Sequence, residues 1–213
     1  EGLNPEELTR VINSFLTPMT DVILRNEGAV DKYIGDCIMA FWNAPLDIAS
    51  HGKQAIRAAL QMREELNALN ARFKSEAKLT GLKKVKIKAG IGLNSGLCCV
   101  GNMGSDQKFN YSALGDTVNI ASRLEALSPA YRLDLVIGEE TAAAAPDFAL
   151  LEIDQVQVKG KAVPIRIYTG VGDERMAATA EFRRLKDIHD RMLAAYRGQD
   201  WAAAADAAEQ CRS

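Results

Sequence analysis

Two apolar runs split by a single Gly-Asp pair constrain this chain more than any other feature. Val30, Tyr33 and Ile34 lead into Gly35-Asp36, and Ile38-Met39-Ala40-Phe41-Trp42 follows at once. Strand-like runs on either side of Gly-Asp predict a tight β-hairpin, because glycine takes the backbone angles that a two-residue turn demands. The turn sets the carboxylate of Asp36 at its tip, with Lys32 four residues earlier on the incoming strand. A rigid turn holding a bare carboxylate suits a hard divalent cation such as Mg2+. The same pair also serves as an ordinary solvated turn, and the hairpin alone leaves both readings open.

The chain has 213 residues, 47% hydrophobic and 25% charged, enough for one domain with a proper core plus an appendage. A net charge of −2 gives no basis for nucleic acid or an anionic membrane surface as the main partner. No apolar run approaches the ~18 residues of a membrane span. Glu1-Gly2-Leu3-Asn4-Pro5 reads as a helix start and not as a signal peptide, so a cytoplasmic location is expected. Cys37, Cys98, Cys99 and Cys211 show no zinc spacing, and His51 and His189 lie far apart, which disfavours a zinc site or a nucleophilic triad. The cysteines are expected to be small core residues in a reducing compartment.

Asn4-Pro5-Glu6-Glu7 combines an N-cap, a first-turn proline and two first-turn acids. The helix it opens repeats apolar residues from Leu8 to Ile23 at helical period, with Pro18 expected to bend or interrupt it. A long helix is predicted over about 47–73, and a half-buried strand over 85–91. A short strand is placed near 97–100, and a helix begins near Asp116-Thr117. A strand at 133–137 and a short helix at 141–145 follow. Two strands, 150–158 and 163–171, then flank Lys159-Gly160-Lys161 as a second hairpin. This mixed order predicts an α+β fold with helices on a largely antiparallel sheet. Beyond Gly172 the chain turns rich in Ala, Glu and Arg, with two helical stretches broken at 197–200. They resemble one tetratricopeptide-type helical pair; a single repeat cannot form a solenoid, so a helical hairpin packed on the domain or on a partner is expected.

The segment from Ser112 to Leu124 is the second dense signal. Asn119 and Arg123 are four apart and share one helix face. An amide and a guanidinium so arranged form a polar fork suited to a sugar oxygen and a phosphate. The same pattern also fits a solvated helix face capped by Asp116, and Lys159 and Lys161 fit either phosphate contacts or a solvated turn.

Five motifs in register bear on the choice. They are Lys32-Tyr-Ile-Gly-Asp36, Gly90-Ile-Gly-Leu-Asn-Ser-Gly96, Val100-Gly-Asn-Met-Gly104, Tyr111-Ser-Ala-Leu-Gly-Asp-Thr-Val-Asn-Ile-Ala-Ser-Arg-Leu124 and Val158-Lys-Gly-Lys161. Together they resemble the class III nucleotide cyclase catalytic domain from about residue 3 to 171. The resemblance implies a ferredoxin-like α+β fold working as a homodimer with composite active sites. It divides the chain into a catalytic domain over 1–172 and a helical tail over 173–213. The implied reaction converts ATP to 3′,5′-cyclic AMP and pyrophosphate by attack of the ribose 3′-OH on the α-phosphate, assisted by two Mg2+ or Mn2+ ions per site.

By the same resemblance, Asp36 matches a metal aspartate, Asn119 the ribose-orienting residue and Arg123 the arginine that stabilises charge on the α-phosphate. Lys159 matches the lysine on the terminal phosphates, with Lys161 as the fallback. Lys32 and Ser112 match the base-reading pair. A lysine donates to adenine N1 and opposes the N1 donor of guanine, so ATP is expected over GTP. Ser112 is similar to the Thr-bearing bacterial subclass, some members of which respond to bicarbonate. In such a homodimer Asp36 serves one site and Lys32 the other. The family's first strand, which carries the other metal aspartate, precedes the start of this chain, so the chain alone is expected to bind metal poorly and turn over little. The parent protein is expected to carry an upstream sensor or membrane region, with this domain on the cytoplasmic side. The competing reading is a catalytically incomplete cyclase-homology module for nucleotide binding or dimerisation. A diguanylate cyclase is disfavoured because no Gly-Gly-Asp/Glu-Glu-Phe turn occurs.

Overall fold

A computed structural model describes residues 4–80, 85–158 and 163–212. Helix α1 (Pro5–Arg25) starts at a capping box: Glu7 N–H donates to Asn4 Oδ1 at 2.8 Å, and Asn4 N–H donates to Glu7 Oε2 at 3.0 Å. It continues unbroken through Pro18. Phe15 and Met19 pack against Leu69 on either side of the proline, and that burial offsets the missing hydrogen bond.

Strands β1 (Ala29–Ile34) and β2 (Cys37–Phe41) form the predicted hairpin, with Ile34 opposite Cys37 and only Gly35-Asp36 between them. Gly35 has φ +65° whereas Asp36 has no positive φ, the pattern of a type II′ turn. The pairing slips between Val30 and Lys32, so Asp31 is the extra residue of a β-bulge.

Helix α2 (His51–Thr80) begins later and runs further than predicted. After it come β3 (Ile91–Leu93), the hairpin β4 (Cys99–Ser105) and β5 (Lys108–Leu114), and α3 (Asp116–Tyr131). The remaining core elements are β6 (Leu135–Gly138), α4 (Glu139–Ala143), β7 (Ala149–Val156) and β8 (Ile165–Gly172). The main sheet runs β3-β6-β8-β7, parallel between β3 and β6 and antiparallel elsewhere. Alternation along β6 fills both faces. Leu135 and Ile137 join Ile56, Ala59 and Leu60 of α2, while Val136 joins Ile120 and Leu124 of α3. A Cβ at Gly92 would lie 2.1 Å from the Ala121 carbonyl oxygen, so glycine is what lets α3 sit directly on β3.

Several expectations are corrected. Only Ile91 of the predicted 85–91 strand joins a ladder, as the first residue of β3. Residues 85–90 stay unladdered, and the Asn70 side chain on α2 takes both backbone groups of Ile87, Oδ1 accepting its N–H at 2.8 Å and Nδ2 donating to its C=O at 2.9 Å. Alternation reported a half-buried surface, which is real because Ile87 and Ala89 pack against the α1–α2 core, but it says nothing about a ladder partner. The short strand near 97–100 is a full hairpin, and β5 was missed because its exposed Phe109, Tyr111 and Leu114 break the apolar-in, polar-out pattern. Asp116 lies inside the first turn of α3; its N-cap position is Gly115, which has no side chain to cap with. All four cysteines are free, and none is fully buried.

The C-terminal segment forms α5 (Glu174–Ala177), α6 (Ala180–Arg197) and α7 (Trp201–Gln210). Phe182 of α6 is buried with Ala149 and Leu151 of β7, and Arg197 pairs with Glu152, so α6 docks on the sheet of its own chain. Tyr196 and Trp201 meet edge-to-face at 5.6 Å where α6 gives way to α7. Among the described residues, no helix is long and apolar enough to cross a membrane.

Candidate nucleotide site

The β1–β2 hairpin meets β5 at a polar cluster. Ser112 on β5 is buried, and its Oγ accepts from Lys32 Nζ at 3.2 Å. The same hydroxyl donates to Asp31 Oδ2 at 2.6 Å, and the Ala113 N–H donates to that oxygen at 3.3 Å. The Asp31 side chain is fully buried, and its other oxygen lies 3.2 Å from the Lys32 ammonium. Consecutive strand residues normally point to opposite faces. The bulge at Asp31 is what lets Asp31 and Lys32 reach one hydroxyl. The structure therefore brings together the predicted pair Lys32 and Ser112, and it adds Asp31, which sequence reasoning missed. The available signal was a second charge beside Lys32 inside an apolar strand.

Asn119 and Arg123 both lie on α3, one turn apart. Asn119 is exposed. Arg123 is half-buried, and its Nη1 is buried with no hydrogen-bond partner. Asn94, after β3, donates from Nδ2 to the Thr117 carbonyl at 3.2 Å and ties the first turn of α3 to the sheet.

Asp36 is exposed at the hairpin tip. The neighbouring Cys37 thiol has its pKa pushed up, first by partial burial and then by the carboxylates of Glu125 and Asp36, so the tip stands within electrostatic reach of α3. Among the described residues, no three His, Cys, Asp or Glu side chains converge. Mg2+ keeps several waters and is held by one or two carboxylates together with substrate phosphates. The exposed carboxylate of Asp36 is a donor of the type such an ion takes alongside substrate phosphates, and the described residues form no preformed cage. Lys159 and Lys161 lie outside the described residues.

The chain belongs to the adenylate and guanylate cyclase catalytic domain family, whose sequence profile matches residues 1–171. Among curated relatives, adenylate cyclase 1 of Rhizobium meliloti (strain 1021) is 31% identical over 182 residues, covering 85% of this chain and 26% of the relative. The adenylate cyclase of Anabaena cylindrica is 35% identical over 173 residues, covering 79% of this chain and 33% of the relative. The chain thus spans about a quarter to a third of these relatives' length. Of solved structures, the adenylyl cyclase CyaB from P. aeruginosa superposes with a TM-score of 0.71 at 31% identity, covering 82% of this chain and 87% of that one. The guanylyl cyclase Cya2 superposes with a TM-score of 0.69 at 29% identity, covering 81% and 84%. These likenesses establish the α+β nucleotide cyclase fold. They include both purine classes, so the fold alone does not choose the base.

Proposed function

We propose that this chain is the catalytic part of an adenylate cyclase, converting ATP to 3′,5′-cyclic AMP and pyrophosphate as a homodimer with composite sites. The observation that carries the reading is Arg123, a half-buried guanidinium with an open donor on the helix that presents Asn119. A buried donor without a partner is costly and calls for an explanation. A phosphate oxygen supplies one, because the guanidinium fork matches its geometry. Arg123 then opposes the charge that grows on the α-phosphoryl oxygens as the ribose hydroxyl attacks, where a fixed donor lowers the barrier. Asn119 orients the ribose so that the 3′-oxygen lies in line with the breaking bond. Lys32 donates to adenine N1, and Lys159, with Lys161 as alternative, neutralises the terminal phosphates. Asp36 is the carboxylate this chain offers to Mg2+ or Mn2+. When bound, that ion lowers the pKa of the ribose hydroxyl and offsets phosphate charge.

Dimerisation is supported by the exposed Tyr33, Ile34, Phe109, Tyr111 and Leu114 on the two hairpins, apolar surface of the kind a second copy covers. The test is formation of cyclic AMP and cyclic GMP with Mn2+ over a range of protein concentrations, in this chain and in the full protein that contains it. Specific activity that rises with concentration and favours ATP supports the reading. Nucleotide binding without turnover in both forms would reassign the domain to a binding module.

A further inference from the structure

We propose that Asp31 determines which purine this site accepts, by taking the proton of Ser112 and holding the ammonium of Lys32. The inference rests on the nucleotide cyclase reading above and adds a residue to it. A serine hydroxyl has one hydrogen and two lone pairs, and when free to rotate it serves as donor or acceptor. Here the hydrogen is committed: Ser112 Oγ donates to Asp31 Oδ2 at 2.6 Å, a short contact to a charged acceptor. One lone pair is committed as well, to Lys32 Nζ at 3.2 Å. All that this oxygen has left for a base is a lone pair.

Lys32 is fixed by the same arrangement. Its ammonium lies 3.2 Å from Asp31 Oδ1 and donates to Ser112, which leaves donor capacity for a ligand. The cluster therefore offers one donor, on Lys32, beside one acceptor, on Ser112. Adenine shows the complement in that order, an acceptor at N1 and an amino donor at C6. Guanine shows the reverse order, a donor at N1 and an acceptor at O6. A freely turning Ser112 would accommodate either base, and a Ser112 locked by Asp31 accommodates adenine. In effect Asp31 gives a serine the hydrogen-bonding character of a carboxylate.

Packing alone does not account for Asp31. Its side chain is fully buried beside a Lys32 that is 39% exposed, and its Oδ1 takes no aligned hydrogen bond. Buried ion pairs of this kind rarely outdo well-packed apolar side chains in stability. The bulge that aims Asp31 inward also interrupts the β1–β2 ladder.

The experiment compares kcat/KM for ATP and GTP with Mn2+, and binding of their non-cyclisable analogues, in the full protein that contains this chain. The variants are Asp31→Ala, which leaves no side-chain acceptor for the Ser112 hydrogen, and the double variant Asp31→Ala/Ser112→Asp. Asp31→Ala is expected to lower the ATP-to-GTP ratio about tenfold or more, and the double variant to restore much of it by returning a carboxylate acceptor at position 112. Activities that fall for both nucleotides with the ratio held within twofold would overturn the inference and leave Asp31 a structural residue. A second measurement needs no substitution. The wild-type protein is assayed with the triphosphate of purine riboside, which lacks the 6-amino donor. A loss of kcat/KM of about fivefold or more against ATP is expected, and equal use of the two overturns the inference. A wild-type protein that neither binds nor cyclises any of these nucleotides overturns the cyclase reading itself, and this inference with it.

Discussion

The two ends of the candidate site are built in opposite ways. At the base end, Asp31, Lys32 and Ser112 interlock across two hairpins, and Asp31 and Ser112 are buried. At the phosphate end, Asn119 and Asp36 are exposed and Arg123 keeps an unmatched donor. The base is a neutral heterocycle that gives weak, directional hydrogen bonds, so selecting it needs groups fixed before it arrives. In the proposed reading a triphosphate would bring its own charge and its own metal, so the protein can leave that end open. Substitutions at the base end should therefore disturb the fold and the choice of base, whereas those at the phosphate end should disturb the rate of reaction.

The largest expected effect belongs to the phosphate end. Arg123→Ala is expected to lower kcat about 10²–10³-fold, the range seen when one preorganised donor to developing charge is removed. Its melting temperature should hold or rise, because an unpartnered buried donor is removed; a clear fall would break the contrast. Ser112→Ala should behave in the opposite sense. It strips a partner from the buried Asp31 carboxylate and is expected to cost about 1–3 kcal/mol in urea unfolding. Asn119→Ala should lower kcat on the order of tenfold, the worth of one hydrogen bond, while leaving stability within about 0.5 kcal/mol. A destabilised Asn119→Ala protein would show that both ends are structural.

The smallest effect lies away from both ends and serves as a control. Burial holds the pKa of His189 on α6 below its ordinary value, with Asp190 pulling the other way and Lys186 adding to the fall. A depressed folded-state pKa gives stability that is complete above the unfolded value and is lost as pH falls through the folded one. Thermal stability should therefore fall modestly as pH drops below ~6.5. His189→Gln should flatten that part of the profile.

Much of this was legible in the residues. Gly35-Asp36 between two apolar runs specified a hairpin down to its two-residue loop. The four-residue spacing of Asn119 and Arg123 specified a shared helix face. Asp31 was not legible, because its role depends on a bulge that inverts strand alternation and on a contact eighty-one positions away. Strand β5 was hidden because its large apolar residues face outward, and residues 85–90 misled because a pattern of burial carries no information about ladder partners.

Gly92 carries one more consequence. With the Ala121 carbonyl 2.1 Å from where its Cβ would stand, the absence of one carbon atom sets the gap between β3 and the helix that carries Arg123. Any side chain there becomes a shim. It would lift the guanidinium while leaving every polar group of the site chemically intact, and a displacement of about 1 Å is enough to cost on the order of 10²-fold in rate. Under the cyclase reading, the tolerance of this candidate site is thus held in part by a residue with no functional group at all.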